Sequence, residues 1–231
     1  MVDERTKDRR VTRRAWLAHC SGLALAPAAW AASPHRILVV GDSLSAEYGL
    51  ARDTGWVALL TQRLAQKKIG ASVVNASISG DTTSGGRSRL APLLKQHRPS
   101  LVILELGGND ALRGLPLDMT RANLQEMARA ARAAGAKVLV VGMQVPPNYG
   151  RRYSDDFAAL FATVARSEGA ALVPFLLEGV AEGPGAAEMF QPDRIHPKQT
   201  AHPLMLDNVW AVLEPMRRPG SGAAGPGARA S

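Results

Sequence analysis

The residues of this chain whose types and spacing could do chemistry lie in four short stretches: Gly41-Asp42-Ser43-Leu44-Ser45, Gly80-Asp81, Gly107-Gly108-Asn109-Asp110 and Asp193-Arg194-Ile195-His196. A serine hydroxyl is a poor nucleophile until a base takes its proton, and His196 is the candidate base for Ser43. Asp193, three residues before the histidine, is near enough in sequence to accept from the imidazole Nδ1 and leave Nε2 for the serine. Attack on an acyl carbon makes a tetrahedral oxyanion, which needs hydrogen-bond donors in place before reaction starts. Gly80 offers a main-chain N–H that no Cβ shields, Ser43 offers its own N–H, and the Asn109 side-chain amide is a third donor.

Each stretch alone has a plainer reading. Gly-Asp-Ser after a strand is a common tight turn, and Gly80, Gly107 and Gly108 fit ordinary turn positions. Asp42, Asp81 and Asp110 read as helix caps or acceptors for loop backbone rather than as reacting groups. His35, His97 and His202 read as surface or loop residues. The weight lies in four weak signals that follow one order, which chance accounts for poorly.

To act together, these residues need a scaffold that gathers distant loops. Apolar runs of strand length at 36–40, 71–75, 101–106, 137–143 and 171–173 alternate with amphipathic stretches at 56–68, 84–97, 118–134, 154–168 and 198–216. That alternation predicts a parallel sheet covered by helices on both faces, an α/β three-layer sandwich. Within 118–134, Met119, Ala122, Leu124, Met127 and Ala131 recur at helical spacing, and Gly135 follows where a helix C-terminus favours a left-handed residue. Ser43, Gly80 and Asn109 each follow a predicted strand. In an open doubly wound sheet, ligands bind in the crevice at the strands' carboxyl ends, where the strand order reverses. A strand order of 2-1-3-4-5 makes these three loops neighbours.

The 231 residues, 46% hydrophobic, suffice for one catalytic domain with a sizeable core. The formal net charge of +8 sits mainly at the ends: residues 1–31 hold six Lys/Arg against three Asp/Glu, and residues 216–231 add three Arg and no acid. The interior, 32–215, holds 19 basic and 17 acidic residues, too balanced for the basic groove that nucleic acid requires. Arg13-Arg14 precede an apolar run over 15–31 that has only about 15 residues of real hydrophobicity, too few to span a bilayer of roughly 30 Å. Residues 1–31 therefore read as a cleaved export signal, with small-x-small patterns at Ala29-Trp30-Ala31 and Ala26-Pro27-Ala28. The segment fits both an ordinary Sec signal and a twin-arginine signal, and predicts a periplasmic or secreted protein without a stable membrane anchor. Cys20, the only cysteine, lies within it, so the mature chain is expected to form no disulfide. The catalytic domain is expected over 32–216, and the Gly-, Ala- and Pro-rich 217–231 reads as a disordered tail.

On these residues the chain resembles the SGNH (GDSL) hydrolase superfamily, and within it the bacterial thioesterase I, lysophospholipase L1 and arylesterase branch. The resemblance runs over 36–215. Two longer matches are specific to the branch: Gly107-Gly108-Asn109-Asp110-Ala111-Leu112-Arg113-Gly114 and Pro146-Pro147-Asn148-Tyr149-Gly150-Arg151-Arg152-Tyr153. It implies a flavodoxin-like parallel five-stranded sheet, Ser43, Asp193 and His196 as a catalytic triad, Ser43, Gly80 and Asn109 as the oxyanion hole, and neither metal nor cofactor. The implied activity is that of a serine esterase hydrolysing carboxylic esters and acyl thioesters through an acyl-enzyme. Medium or long acyl chains, aryl esters and lysophospholipids are the implied small-molecule substrates, and the loop after Asn109 is implied to help hold the acyl chain. Leu112, Leu115, Pro116, Met143, Val145, Pro146 and Phe190 lie on loops near the predicted crevice and give it an apolar lining. Of these, Leu112, Leu115 and Pro146, with Tyr149 of the second long match, are the candidate substrate-binding residues. The Gly- and Ala-rich 182–189 departs from the family pattern, which bears on pocket shape rather than on the catalytic residues.

Other classes fit less well. An α/β-hydrolase elbow needs glycine where Ser45 stands. A flavodoxin-like nucleotide-binding module leaves Asp193 and His196 without work, and no Gly-x-x-x-x-Gly-Lys-Ser/Thr segment is present. A metallohydrolase lacks a His-Glu-x-x-His. Within the superfamily, the alternative is a carbohydrate O-acetyl esterase, which would prefer a short acyl group and a polar sugar site. Nothing in the chain demands more than a monomer.

Overall fold

A computed structural model describes residues 35–217. The expected export signal and the tail beyond Arg217 lie outside the described residues. Five parallel strands, β1 (His35–Gly41), β2 (Ala71–Asn75), β3 (Leu101–Glu105), β4 (Lys137–Val141) and β5 (Ala171–Val173), form one sheet in the order β2-β1-β3-β4-β5. This is the strand order that the sequence reading requires. β1 and β3 sit inside the sheet and are apolar along most of their length because both faces are covered.

The helices are α1 (Trp56–Gln66), α2 (Thr83–His97), a short α3 (Gly108–Leu112), α4 (Leu117–Ala133), α5 (Arg151–Glu168) and α6 (His202–Met216). α1 packs with α6, and α2, α4 and α5 form the other row. Among the described residues, no helix is long and apolar enough to cross a membrane. Core side chains such as Trp56, Leu60, Leu104, Leu124, Phe157 and Val209 are fully buried, and each such side chain contributes about 1.5–3 kcal/mol relative to an exposed one.

Three local expectations are corrected. In α4 the inward face is Thr120, Asn123, Leu124, Met127, Ala128 and Ala131, while Ala122 faces solvent. Two polar residues displace the expected apolar stripe because they join a buried hydrogen-bond network described below. Residues 107–112, expected as loop, contain the single helical turn α3. His202, read as a surface or loop residue, is 2% exposed at the start of α6, and its Nδ1 accepts from the Trp56 N–H at 3.0 Å. It supplies a partner for the first turn of α1, whose N-cap, Gly55, has no side chain to do so. Burial lowers its pKa.

Candidate functional site

The segments that leave the carboxyl ends of β1, β2 and β3 hold Ser43, Gly80 and Asn109, the last in the single turn of α3. In the order β2-β1-β3 these segments are adjacent. The fourth segment arrives from beyond β5, and it closes the geometry: His196 Nε2 lies 2.9 Å from Ser43 Oγ, and His196 Nδ1 lies 2.7 Å from Asp193 Oδ2. All three residues of the expected triad therefore meet across a separation of 150 residues between Ser43 and Asp193 in the chain.

The Asp193–His196 turn is built by its own carboxylate. Asp193 Oδ1 accepts from the Ile195 and His196 N–H groups at 2.9 and 3.0 Å, leaving Oδ2 for the imidazole. The two backbone donors, with the imidazole, hold the Asp193 carboxyl down at about 2. It thus stays ionised throughout the pH range in which an esterase is assayed. Arg194 takes a left-handed φ of 57° so that the chain can wrap around this carboxylate. The turn is pinned at its base: Gln191 N donates to His196 O at 2.8 Å, Lys198 N to Met189 O at 2.7 Å, and Gln191 Nε2 to Tyr48 O at 2.9 Å. Tyr48 then lays its ring on His196, with centroids 4.3 Å apart.

The three expected oxyanion donors are placed by different means. Gly80 has a φ of +79°, a region that L side chains rarely adopt, so the turn that presents its N–H requires glycine. Among the described residues, neither the Gly80 N–H nor the Ser43 N–H has a protein acceptor. Arg89 of α2 reaches under both loops, donating to the carbonyls of Gly41 and Ala76 and pairing with Asp81 at 2.7 Å. Arg113 Nη2 donates to Gly80 O at 2.7 Å, which links the β3 loop to the β2 loop. Asp110, fully buried, accepts from Thr83 N and Oγ1 at 2.9 and 2.5 Å and from Thr120 Oγ1 at 3.2 Å, and Asn123 Nδ2 donates to Thr83 Oγ1 at 3.0 Å. This network, anchored by the polar residues of α4, docks the start of α2 against α3. Asp81 and Asp110 thus do the capping and loop-holding work expected of them.

Glu105, the last residue of β3, was not singled out by sequence. It is 2% exposed, and its Oε2 accepts from Ser45 Oγ at 2.6 Å and lies 3.4 Å from Asp42 N. A Cβ on Gly41 would stand 2.7 Å from the same oxygen, so glycine at that position is what admits the carboxyl. Burial, then the neighbouring Asp42, raise the Glu105 pKa well above 4.5. Burial likewise lifts Asp42 to about 6, against the pull of the Leu44 N–H and Asn109.

A carboxyl whose folded-state pKa is raised costs stability as pH climbs past its unfolded value, because the unfolded chain gives up its proton first. Glu105→Gln is therefore expected to gain stability over wild type progressively above about pH 4.5, with Tm moving roughly 2–4 °C per kcal/mol relieved. Thermal midpoints of both proteins at pH 4 and pH 7.5 check this. A difference in Tm that does not grow between the two would remove the buried-acid account.

The candidate substrate residues are less tightly gathered. Leu112 is 46% exposed at the end of α3, Leu115 is half-buried in the next loop, and Pro146 and Tyr149 sit on the loop after β4. A surface depression is lined by Tyr149, Gly150, Arg151, Arg152, Tyr153 and Asp156, so of the four only Tyr149 contributes to it. Met143, expected in the apolar lining, is 8% exposed and belongs to the core. The structure adds residues that the sequence reading missed. Among the described residues, the exposed large hydrophobics are Tyr48, Ile78, Leu112 and Ile195, and each is within three positions of a candidate site residue or has its ring against one. Exposure is a tertiary property, so no sequence pattern marked the other three.

Comparison with known proteins shows the family to which the chain belongs. The GDSL-like Lipase/Acylhydrolase family model matches residues 39–204. Esterase TesA of Pseudomonas aeruginosa is 52% identical over 185 residues, covering 80% of this chain and 90% of that protein. Thioesterase 1/protease 1/lysophospholipase L1 of Escherichia coli K12 is 41% identical over 186 residues, covering 80% of this chain and 86% of that protein. A crystal structure of TesA superposes with a TM-score of 0.76 at 53% identity, covering 79% of this chain and 99% of that one. The chain belongs to the GDSL-like lipase/acylhydrolase family. It is an ester-cleaving hydrolase with the SGNH fold.

Proposed function

We propose that Ser43, His196 and Asp193 form the catalytic triad of this esterase, with the N–H groups of Ser43 and Gly80 and the Asn109 amide as its oxyanion hole. The observation that carries the reading is the continuous path from Asp193 Oδ2 through the imidazole to Ser43 Oγ, at 2.7 and 2.9 Å. His196 takes the serine proton as Oγ attacks the acyl carbon, the donors hold the oxyanion, and the same proton passes to the leaving group. Water then repeats the sequence to release the acid. A p-nitrophenyl alkylphosphonate tests the assignment, because its phosphorus accepts an activated serine and the adduct cannot turn over. Peptide mapping is expected to place the adduct on Ser43, and an adduct on any other serine would reassign the nucleophile.

The substrates we infer are acyl thioesters, aryl esters and lysophospholipids with medium or long acyl chains. The likeness to a thioesterase and lysophospholipase supports this, and so does the exposure of the apolar side chains of Ile78, Leu112 and Ile195 close in the chain to Gly80, Asn109 and His196, with Tyr48 against the His196 ring. Leu112, Leu115, Pro146 and Tyr149 are proposed to hold the acyl chain. Each methylene buried there contributes roughly 0.8 kcal/mol, so kcat/KM for p-nitrophenyl esters is expected to rise from acetyl towards octanoyl. A flat profile would show that no groove takes up the chain.

Residues 1–31 are proposed to export the protein to the periplasm or medium and to be removed there. Arg13-Arg14 and the apolar run behind them support this. The N-terminal sequence of protein recovered outside the cytoplasm should begin after residue 28 or 31, and recovery of the intact N-terminus there would oppose it. The working unit is proposed to be a monomer, which light scattering on the purified protein tests directly.

A further inference from the structure

Asp42 is a buried carboxylate to which the mechanism above gives no task. It directly precedes Ser43, is 3% exposed, and has no cationic side chain paired with it among the described residues. Its Oδ1 accepts from Leu44 N at 3.0 Å and its Oδ2 accepts from Asn109 Nδ2 at 3.0 Å. Its backbone carbonyl accepts from Ser45 N and Ala46 N at 3.3 and 2.9 Å, so the residue is fixed at the root of the turn that carries the nucleophile.

We propose that Asp42 is a positioning residue for the oxyanion hole, holding the Asn109 amide with its second N–H turned to the reacting carbonyl. The inference rests on the assignment of Asn109 as an oxyanion donor and adds to it the reason the donor points the right way. An amide is nearly symmetric in shape, and its two ends exchange by a half-turn about one bond. A carboxylate can only accept, so with Asp42 ionised the NH2 end must face it and the carbonyl end must face away. One N–H is then committed to Asp42, and the other has no acceptor among the described residues. A charge-assisted hydrogen bond on the first N–H also polarises the amide, which strengthens the second as a donor. An asparagine at 42 would fill the same space but could donate its own NH2 to the Asn109 carbonyl oxygen. That pairing allows the half-turn, which puts a lone pair where the oxyanion forms.

The test is a double-mutant cycle on the whole protein: wild type, Asp42→Asn, Asn109→Ala and the double variant, each assayed for kcat and KM on one p-nitrophenyl ester, with thermal midpoints recorded. Asn109→Ala is expected to lower kcat about 100- to 1000-fold, the range for one oxyanion donor. Asp42→Asn is expected to lower kcat about 10- to 100-fold with KM changed less than about 2-fold, because a misdirected donor fails only in the transition state. In the Asn109→Ala background, the same change at 42 is expected to cost less than about 3-fold, since the group it orients is gone. Asp42→Ala is carried through the same cycle, so that a folding defect in one variant, read as a lowered Tm, leaves the other to decide. Equal losses in both backgrounds, or no loss from Asp42→Asn, would overturn the positioning role while leaving the oxyanion assignment standing. Unchanged kcat in Asn109→Ala alone would instead overturn that assignment, and this inference with it.

Discussion

Replacing Ser43 by alanine is expected to reduce ester hydrolysis to the level left by binding and oxyanion stabilisation alone, a loss on the order of 10⁶-fold in kcat. The same loss is expected for His196→Ala. The two should not add: once the nucleophile is missing, the base has no proton to take, so the double variant is expected to match either single one. The fold should survive, because Ser43 and His196 meet only in the site and neither belongs to the buried core. Far-UV dichroism and thermal midpoints establish that, and titration of p-nitrophenol release measures the loss. Residual turnover above about 1% of wild type in Ser43→Ala would mean that another residue or an activated water does the attack.

The second large effect is expected at Asp193. Asp193→Asn keeps the size of the side chain but turns one acceptor oxygen into a donor NH2, and Oδ2 is the atom that meets His196 Nδ1. An amide donor there favours the tautomer with its proton on Nε2, which faces Ser43 with a hydrogen instead of a lone pair. A loss of up to roughly 10⁴-fold in kcat is expected. The acid limb of the wild-type pH profile should not report this carboxyl. With its pKa near 2, whatever the Asp193 contacts contribute to stability is in force above the ordinary carboxylate range and is lost only as the pH falls towards 2. Kinetics of Asp193→Asn between pH 5 and 9 check both points, and a loss under about 10-fold across that range would show that the carboxylate does not set the tautomer.

These effects depend on arrangements that differ in how far they could be read from the chain. The five strands and the main helices were legible because strand-length apolar runs and helical spacing are local properties, and covered parallel strands admit almost no polar residue. The candidate site was legible as a set of residue types: a serine, a glycine, an asparagine and an Asp-x-x-His carry recognisable chemistry wherever they lie. Asp193 and His196 needed little more, since three residues of separation within one turn already bring the carboxylate to the imidazole.

What remained hidden was whatever depends on partners far away along the chain. Glu105 reads as an ordinary acidic residue at the end of a strand, and only the packing of Gly41 and Ser45 against it makes it a buried acid. Thr120 and Asn123 broke the apolar stripe of α4 because Asp110 and Thr83, from two other segments, need hydrogen-bond partners inside. His202 turned inward because the first turn of α1 lacked a cap of its own. Asp42 reads as a turn residue, and its hold on Asn109 exists only because β1 and β3 are neighbours in the sheet. The chain by itself determined which elements form and which groups could react, since propensity, periodicity and side-chain chemistry act over a few residues. Tertiary structure alone decided which of those groups touch and which are cut off from water, because contact and burial are set by the packing of distant segments.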